Sequence, residues 1–284
     1  MNWKLETASP QVHRLSFTGV ASGWSQRVLL MSDEHVDNAK CDRTLLKRHH
    51  EEAAGSGAPV MKFGDTFCAM QGKWDKRSDQ NQLREEHRGN NYLDRLVDTT
   101  ADFYAPFAKN IALMTDGNHE SSIQLRHETS LLDRVIEQLG AKGGAKPQKG
   151  SYMGFVQFYF GKHWGSVLLN WHHGYGGGGE VTRGMIDNNR TRGMIEADIF
   201  YSGHIHRRNM DENIVLSVTD RLQMRERRQI FLRGSSDKDE HVGGNGWHIG
   251  QGRAARPKGG WWVEFKARRE KDNHVVEIIP TPAT

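Results

Sequence analysis

The stretch Gly117-Asn118-His119-Glu120 carries an amide, an imidazole and a carboxylate on consecutive residues. The apolar run Ile111–Met114 lies just before it and predicts a short buried strand. Polar side chains on the loop that leaves a buried strand are a common place for chemistry in α/β proteins. The same four residues also fit a plain turn before a helix, so this loop alone leaves both interpretations open.

Four other apolar stretches also end in side chains that bind metal ions. These side chains are Asp33 and His35, Asp65, His172 and His173, and His204 and His206. In extended backbone, residues two apart point to the same side, so the pairs 33/35 and 204/206 can each hold one cation. Scattered structural histidines can imitate one or two such loops, but five in succession are hard to explain that way. Seven or eight oxygen and nitrogen ligands, with no thiolate, suit two metal ions that share a carboxylate.

The order of these blocks resembles that of the calcineurin-like metallophosphoesterase family. Asp-x-His, Gly-Asp, Gly-Asn-His-Glu, His-Gly and Gly-His-x-His follow one another between Val28 and His206. The resemblance implies that a first metal binds Asp33, His35 and His206, that Asp65 bridges, and that a second metal binds Asn118, His173 and His204. His173 is preferred to His172 because the family's ligand usually stands directly before glycine. His172 is then a candidate for binding substrate.

The resemblance also implies a reaction. A hydroxide that bridges two divalent cations would attack phosphorus in line, and His119 would protonate the leaving oxygen or orient the phosphate. Manganese, iron, zinc and nickel all accept these ligands, and manganese is favoured here. We expect a phosphodiesterase that acts on nucleic acid or nucleotides. The alternatives are a phosphomonoesterase and a catalytically weak nucleic-acid-binding or assembly module that keeps structural metals.

One departure from the family weakens a role as a protein phosphatase. Phosphoprotein phosphatases of this family carry Gly-Asp-x-x-Asp-Arg-Gly, whereas Cys68, Ala69 and Met70 stand at the Asp-Arg-Gly positions here. The support for His119 is therefore expected from elsewhere, with Asp116 and Glu120 as the candidates.

Charge adds a mild indication of a polyanionic partner. The net charge is +4 with 15 histidines uncounted, and residues 221–284 hold 13 Lys/Arg against 8 Asp/Glu. A basic surface with interleaved tryptophans suits nucleic acid, although Trp247, Trp261 and Trp262 also fit a core. Further substrate-binding candidates in or beside the late Gly-rich stretch are Arg233, His241, His248 and Arg253.

The chain alternates strands and helices to about residue 140 and then consists mainly of strands, which favours an α/β fold. The resemblance implies a four-layer α/β/β/α sandwich with two mixed sheets. We expect one domain over residues 1–284, with a polar excursion near 71–90 and a Gly-rich insertion near 235–260. Residues 1–26 are expected to be an edge strand or lead-in, Gly140 to end a helix, and residues 143–150 to form a linker.

Two cysteines are too few for a disulfide framework and fit a reducing compartment. No apolar run reaches the roughly 20 residues of a membrane span, and the start lacks the order of a secretory signal. We therefore expect a cytoplasmic location and no membrane partner. The oligomeric state stays open.

Overall fold

The computed structural model describes residues 1–69, 82–176, 179, 182, 185–237, 247–250, 252, 255–271 and 273–284. The described strands form two mixed sheets. Among the described residues, no helix has the length and apolar character needed to cross a membrane.

The first sheet has seven strands, which come from the N-terminal hairpin and from residues 153–233. In spatial order the strands are β1 (Trp3–Ser9), β2 (Val12–Phe17), β7 (Met153–Tyr159), β8 (Ser166–His172), β9 (Ile199–Ser202), β11 (Met224–Arg233) and β10 (Asn209–Val218). The neighbours β8, β9 and β11 are parallel, so their carboxyl ends lie at one edge.

The second sheet has six strands and includes the C-terminal hairpin. In spatial order they are β13 (Asn273–Pro282), β12 (Trp261–Glu270), β3 (Ser25–Met31), β4 (Val60–Phe63), β5 (Ile111–Thr115) and β6 (Gln148–Gly150). Strands β3 to β6 are parallel, and β12 pairs antiparallel with β3 and β13.

Helices cover the outer faces of the two sheets. They are α1 (Arg43–Ser56), α2 (Tyr92–Tyr104), α3 (Asn118–His127), α4 (Leu131–Gly143) and α5 (Met185–Arg192). The short α6 (Trp247–Gly250) follows β11 in the chain. Helices α1, α2 and α4 bury Leu46, Leu96 and Val135 in the core on the outer side of the six-stranded sheet. The smaller cluster around Phe200 and Phe231 lies on the outer side of the seven-stranded sheet.

The central core fills the space between the two sheets. Strand β3 shows why its sequence is a continuous apolar run: Val28 and Leu30 belong to the core between the sheets, whereas Leu29 and Met31 belong to the helix-covered core. A strand buried on both faces has no polar alternation. The predicted α/β/β/α sandwich with two mixed sheets is thus confirmed.

Several local expectations were wrong or incomplete. Residues 1–26 hold two strands that form an antiparallel hairpin at the sheet edge, because β2 finds a parallel partner in β7. Gly140 lies inside α4, which ends instead at Gly143 and is capped by Gly144 in the left-handed conformation. The expected linker over 143–150 includes β6, which pairs with β5.

The polar stretch near 71–90 is only partly a surface excursion. Residues 70–81 lie outside the described part, but Leu83 makes a β-bridge with Asn38, and Arg84 donates to the carbonyls of Asn38 and Cys41. His87 is fully buried. Residues 82–88 therefore pack on the loop that follows β3. That residues 1–284 form one domain stays a prediction.

Candidate metal centre

Five loops meet at the edge where the carboxyl ends of β3, β4, β5, β8 and β9 lie. The backbone at these loops is unusual, because five of the candidate metal ligands adopt positive φ. They are Asp33 (57°), His35 (47°), Asp65 (53°), His204 (69°) and His206 (48°). Left-handed backbone at non-glycine residues costs energy and concentrates at functional sites. The assumption of extended backbone at the pairs 33/35 and 204/206 was wrong, and the pairs converge through these sharp turns instead.

A first group of ligand atoms comes from Asp33, His35 and His206, all within 4.8 Å of one another. The Nε2 atoms of His35 and His206 are 3.2 Å apart, and His206 Nε2 is 3.5 Å from Asp33 Oδ1. Ligand atoms about 2.1 Å from one ion are separated by about 3.0–3.4 Å from each other. His35 Nδ1 donates to the carbonyl of Phe67 at 3.1 Å, which directs the Nε2 lone pair into the group. These atoms fit one divalent cation.

A second group combines Asp65, His173 and His204, with Asn118 between them. His173 Nε2 is 3.2 Å from Asp65 Oδ2 and 3.0 Å from Asn118 Oδ1, and His204 Nδ1 is 2.7 Å from the same amide oxygen. His173 Nδ1 donates to the carbonyl of Phe63 at 3.0 Å, so its Nε2 lone pair also points inward. The donor set fits a second cation.

The two groups adjoin. His173 Nε2 lies 3.9 Å from Asp33 Oδ1 of the first group. In addition, both carboxylate oxygens of Asp33 accept from the backbone N–H of His204, at 2.8 and 3.0 Å. Asp33 therefore contacts both groups. Asp65, the expected bridge, belongs to the second group, lies beside His119, and accepts the backbone N–H of His35 of the first group at 3.1 Å through its carbonyl.

The ionisation of Asp65 and His173 makes the centre suitable for binding cations. Burial opposes ionisation of Asp65, but the neighbouring His173 and His119 outweigh it and hold the Asp65 pKa well below its ordinary value. Burial lowers the pKa of His173, but the charge of Asp65 dominates and raises it to about 10. In the absence of metal the imidazolium of His173 neutralises the carboxylates, and a cation must displace that proton.

His119 lies beside both groups at the start of α3. Its backbone N–H donates to Asp65 Oδ1 at 3.0 Å, and its ring packs edge-on to His35 with centroids 4.9 Å apart. The ring Nδ1 donates to the carbonyl of Cys68 in a very short hydrogen bond. Because that carbonyl can only accept, Nε2 is the nitrogen left to exchange a proton, and it lies 3.7 Å from Asp65 Oδ2.

The expected support for His119 from Asp116 or Glu120 was wrong. The Asp116 carboxylate lies 3.6 Å from the ammonium of Lys149. The Glu120 carboxylate accepts from three backbone N–H groups, those of Asp65 (3.0 Å), Phe67 (3.1 Å) and Gly117 (2.9 Å). Glu120 therefore fixes the loop after β4 to the N-terminus of α3, and a backbone carbonyl orients His119.

Two supporting serines, and the place of Cys68 within the centre, escaped the sequence analysis. Ser235 and Ser236, placed there in a Gly-rich insertion, are buried and donate to the carbonyls of His206 (3.0 Å) and Asp33 (2.7 Å). The Cys68 sulfur lies in a further group with His35 and His119. No local signal marks the serines, but the departure at Cys68 from the phosphatase motif was visible.

The candidate substrate-binding residues do not all lie together in the described part of the structure. His172 and Arg233 line one pocket on the outer face of the seven-stranded sheet. His241 and Arg253 lie outside the described residues, as do the side chains of His248 and Trp247. Trp261 and Trp262 are buried in the two cores, so they do not form a stacking surface for nucleic acid.

The two-sheet sandwich, with the five blocks at one edge, confirms the resemblance to the calcineurin-like metallophosphoesterase fold. No protein-family model matches the chain, and no curated protein sequence does so either.

Several solved structures are similar over most of the chain at low identity. Vacuolar protein sorting 29 from Cryptosporidium parvum is 13% identical, with a TM-score of 0.32, over 91% of this chain and 99% of that chain. A metallophosphoesterase from Sphaerobacter thermophilus is 10% identical, with a TM-score of 0.34, over 89% and 88%. Vps29 from Chaetomium thermophilum is 9% identical, with a TM-score of 0.37, over 91% and 98%. Likenesses at this distance carry no information on activity.

Proposed function

We propose that the protein is a phosphodiesterase that depends on two divalent metal ions. The observation that carries this proposal is the adjacency of the two ligand groups, joined through Asp33, with His119 beside both. Nitrogen and carboxylate ligands of this kind suit manganese, iron, zinc or nickel, and manganese is favoured. When bound, such ions supply Lewis acidity and make hydroxide available at neutral pH.

The protein's own residues contribute orientation and proton transfer. Asp33, His35 and His206 would hold one ion, and Asp65, Asn118, His173 and His204 the other. His119, held by the Cys68 carbonyl through Nδ1, presents Nε2 as the group that protonates the leaving oxygen. Only 9% of the His119 surface is exposed, so solvent competes little for that proton.

A diester substrate is favoured over a phosphoprotein. The arginine that grips a phosphate monoester in the family's protein phosphatases is absent after Asp65, where Cys68 and Ala69 are buried. The surplus of basic residues over 221–284 favours nucleic acid or nucleotides as the diester. The protein is proposed to act in the cytoplasm.

A module that binds or assembles, with metals kept for structure, is the second candidate. The buried network behind the ligands favours it, because three backbone N–H groups on Glu120 fix the loops whether or not catalysis occurs. The two candidates differ in one measurable property, which is turnover.

The test is hydrolysis of bis-p-nitrophenyl phosphate and of the monoester p-nitrophenyl phosphate. Metal-stripped protein is compared with the same protein after manganese is added back. We expect metal-dependent turnover of the diester and a loss of about 10²- to 10⁴-fold in His119→Ala. His127→Ala, at the exposed end of the same helix, is the matched control and should keep full activity.

Two other outcomes would each contradict a different part of the proposed function. Turnover of the monoester alone contradicts the diester preference and indicates a phosphomonoesterase. Two bound metals per chain without turnover of either ester contradict the enzyme and favour the module.

A further inference from the structure

A pocket adjoins the metal centre on the opposite face of the seven-stranded sheet. Strand register explains what it contains. In the last rung His172 of β8 pairs with Ser202 of β9, which pairs with Arg233 of β11. One rung back on the same face the side chains are Asn170, Phe200 and Phe231. All six residues line the pocket.

The last rung consists of hydrogen-bond donors. Arg233, although buried, contributes a guanidinium whose Nε donates to Ser202 Oγ at 3.0 Å, which leaves the serine hydroxyl proton available to donate. His172 Nδ1 accepts the backbone N–H of Gly174 at 2.9 Å, so a neutral His172 carries its proton on Nε2. A guanidinium, a hydroxyl and an imidazole N–H in one row form a surface that attracts an anionic group.

The second rung is aromatic. The rings of Phe200 and Phe231 are parallel, with centroids 4.4 Å apart and an interplanar angle of 4°. Helix α5 and the residues after it close the far side through Asn188, Thr191 and Ile195, and Tyr175 lies at the exposed rim. Two rungs are about 7 Å apart along the strands and three strands span about 10 Å. A heterocyclic ring with a phosphate fits that footprint.

The pocket and the metal centre share two loops. His172 and Gly174 flank His173, and Gly203 and Ile205 flank His204, so neighbouring residues face opposite sides of the sheet edge. Gly174 packs so closely on the second loop that an added Cβ would lie 2.8 Å from His204 Cβ. A substrate that crosses the sheet edge at Gly174 and Gly203 would contact both the pocket and the metal centre.

We propose that this pocket binds the nucleoside monophosphate unit next to the scissile bond, with its phosphate on the Arg233 row and its base on the phenylalanine row. This inference rests on the proposed function, because it assigns to the metal centre a substrate with at least two phosphates. It makes Arg233 and His172 determinants of specificity with no part in the attack on phosphorus.

The test begins with binding of adenosine and thymidine monophosphates to metal-free protein, measured by calorimetry. Arg233→Met should weaken binding at least tenfold, and Thr191→Phe, which fills the pocket from the helix side without changing its charge, should do the same. Arg225→Met, on the exposed part of β11, is the matched control and should stay within twofold of the wild-type affinity.

A kinetic comparison then connects the pocket to the reaction. With manganese, Arg233→Met should raise KM at least tenfold for a dinucleotide that carries a terminal phosphate. It should leave kcat/KM for methyl p-nitrophenyl phosphate within twofold, since that ester cannot reach the pocket. Equal losses on both esters would assign Arg233 to the metal centre and overturn the inference.

The two proposals fail differently. Monophosphate binding that depends on Arg233, without turnover of any ester, overturns the enzyme and supports the pocket. Ester turnover without monophosphate binding up to millimolar concentration overturns the pocket and leaves the phosphodiesterase in place. If Arg233→Met does not fold, as judged by circular dichroism, Thr191→Phe decides the outcome.

Discussion

Lys62 and Glu34 form an ion pair behind the metal centre from which water is excluded. The ammonium lies 2.7 Å from Glu34 Oε2, and both side chains are 1% exposed. Tyr104 donates its hydroxyl to the same carboxylate oxygen at 2.8 Å, and its ring lies 3.1 Å from the Lys62 ammonium. Burial outweighs the attraction of Glu34 and lowers the pKa of Lys62 to about 8. We predict that Lys62→Met is strongly destabilising.

The size of the effect follows from the buried charge that the substitution leaves without a partner ion. Without Lys62, the buried carboxylate of Glu34 keeps the Tyr104 hydroxyl but loses its cation. Buried pairs broken on one side lose about 3–5 kcal/mol in general. In a chain of this length the loss corresponds to a fall of about 5–8 °C in Tm.

Urea unfolding of metal-free protein at pH 7 measures this free energy. The control is Lys142→Met, which removes an exposed pair with Asp102 (2.8 Å) and should cost less than about 1 kcal/mol. A cost for Lys62→Met below about 1 kcal/mol would refute the assignment of the loss to an unpaired Glu34.

Three further predictions concern acid stability and the metal centre. Burial, aided by Arg48, lowers the pKa of His49 to about 4, so the unfolded state binds the extra proton and stability should rise by about 3 kcal/mol between pH 4 and 6.5; unfolding of His49→Asn should show a flatter profile. Gly117→Ala places a Cβ against the Asp65 carboxylate and backbone nitrogen, so metal content measured by mass spectrometry should fall well below that of Gly144→Ala. Manganese must displace the proton of His173. Burial lowers the pKa of this imidazole, but the opposing charge of Asp65 outweighs burial and raises the pKa to about 10. Affinity should therefore rise about tenfold per pH unit between pH 6 and 8, and calorimetry in buffers of different ionisation enthalpy should detect proton release. An affinity independent of pH would contradict the raised pKa of His173.

The strand ends could be predicted from sequence because their signal is local. A strand buried on both faces is a short apolar run, and the first polar residue after it marks the loop, as at Met31 before Asp33 and at Thr115 before Asn118. The four-layer arrangement followed from the resemblance of the blocks. Helix and strand limits that depend on contacts with residues far along the chain could not be predicted as well, as the pairing of β2 with β7 shows.

The supporting contacts could not be predicted, because they join positions far apart in the chain. Ser236 bonds to the carbonyl of Asp33, and Arg256 donates to the carbonyl of Ile205 at 2.9 Å, although both lie in what the sequence presents as a Gly-rich insertion. Glu120 could not be distinguished from a partner of His119, since its three backbone donors come from two loops. Burial of these polar groups is decided by packing.

The different environments of the His172 and His173 side chains follow from the pleat of β8. Neighbouring residues at the end of a strand face opposite sides of a sheet. His173 Nε2 therefore faces Asp65 in the space between the sheets, whereas His172 joins Ser202 and Arg233 on the outer face. A sheet edge of this kind places a cation-binding group and an anion-binding row within one residue of each other. That arrangement suits a substrate that carries one phosphate to the metals and a second to the arginine.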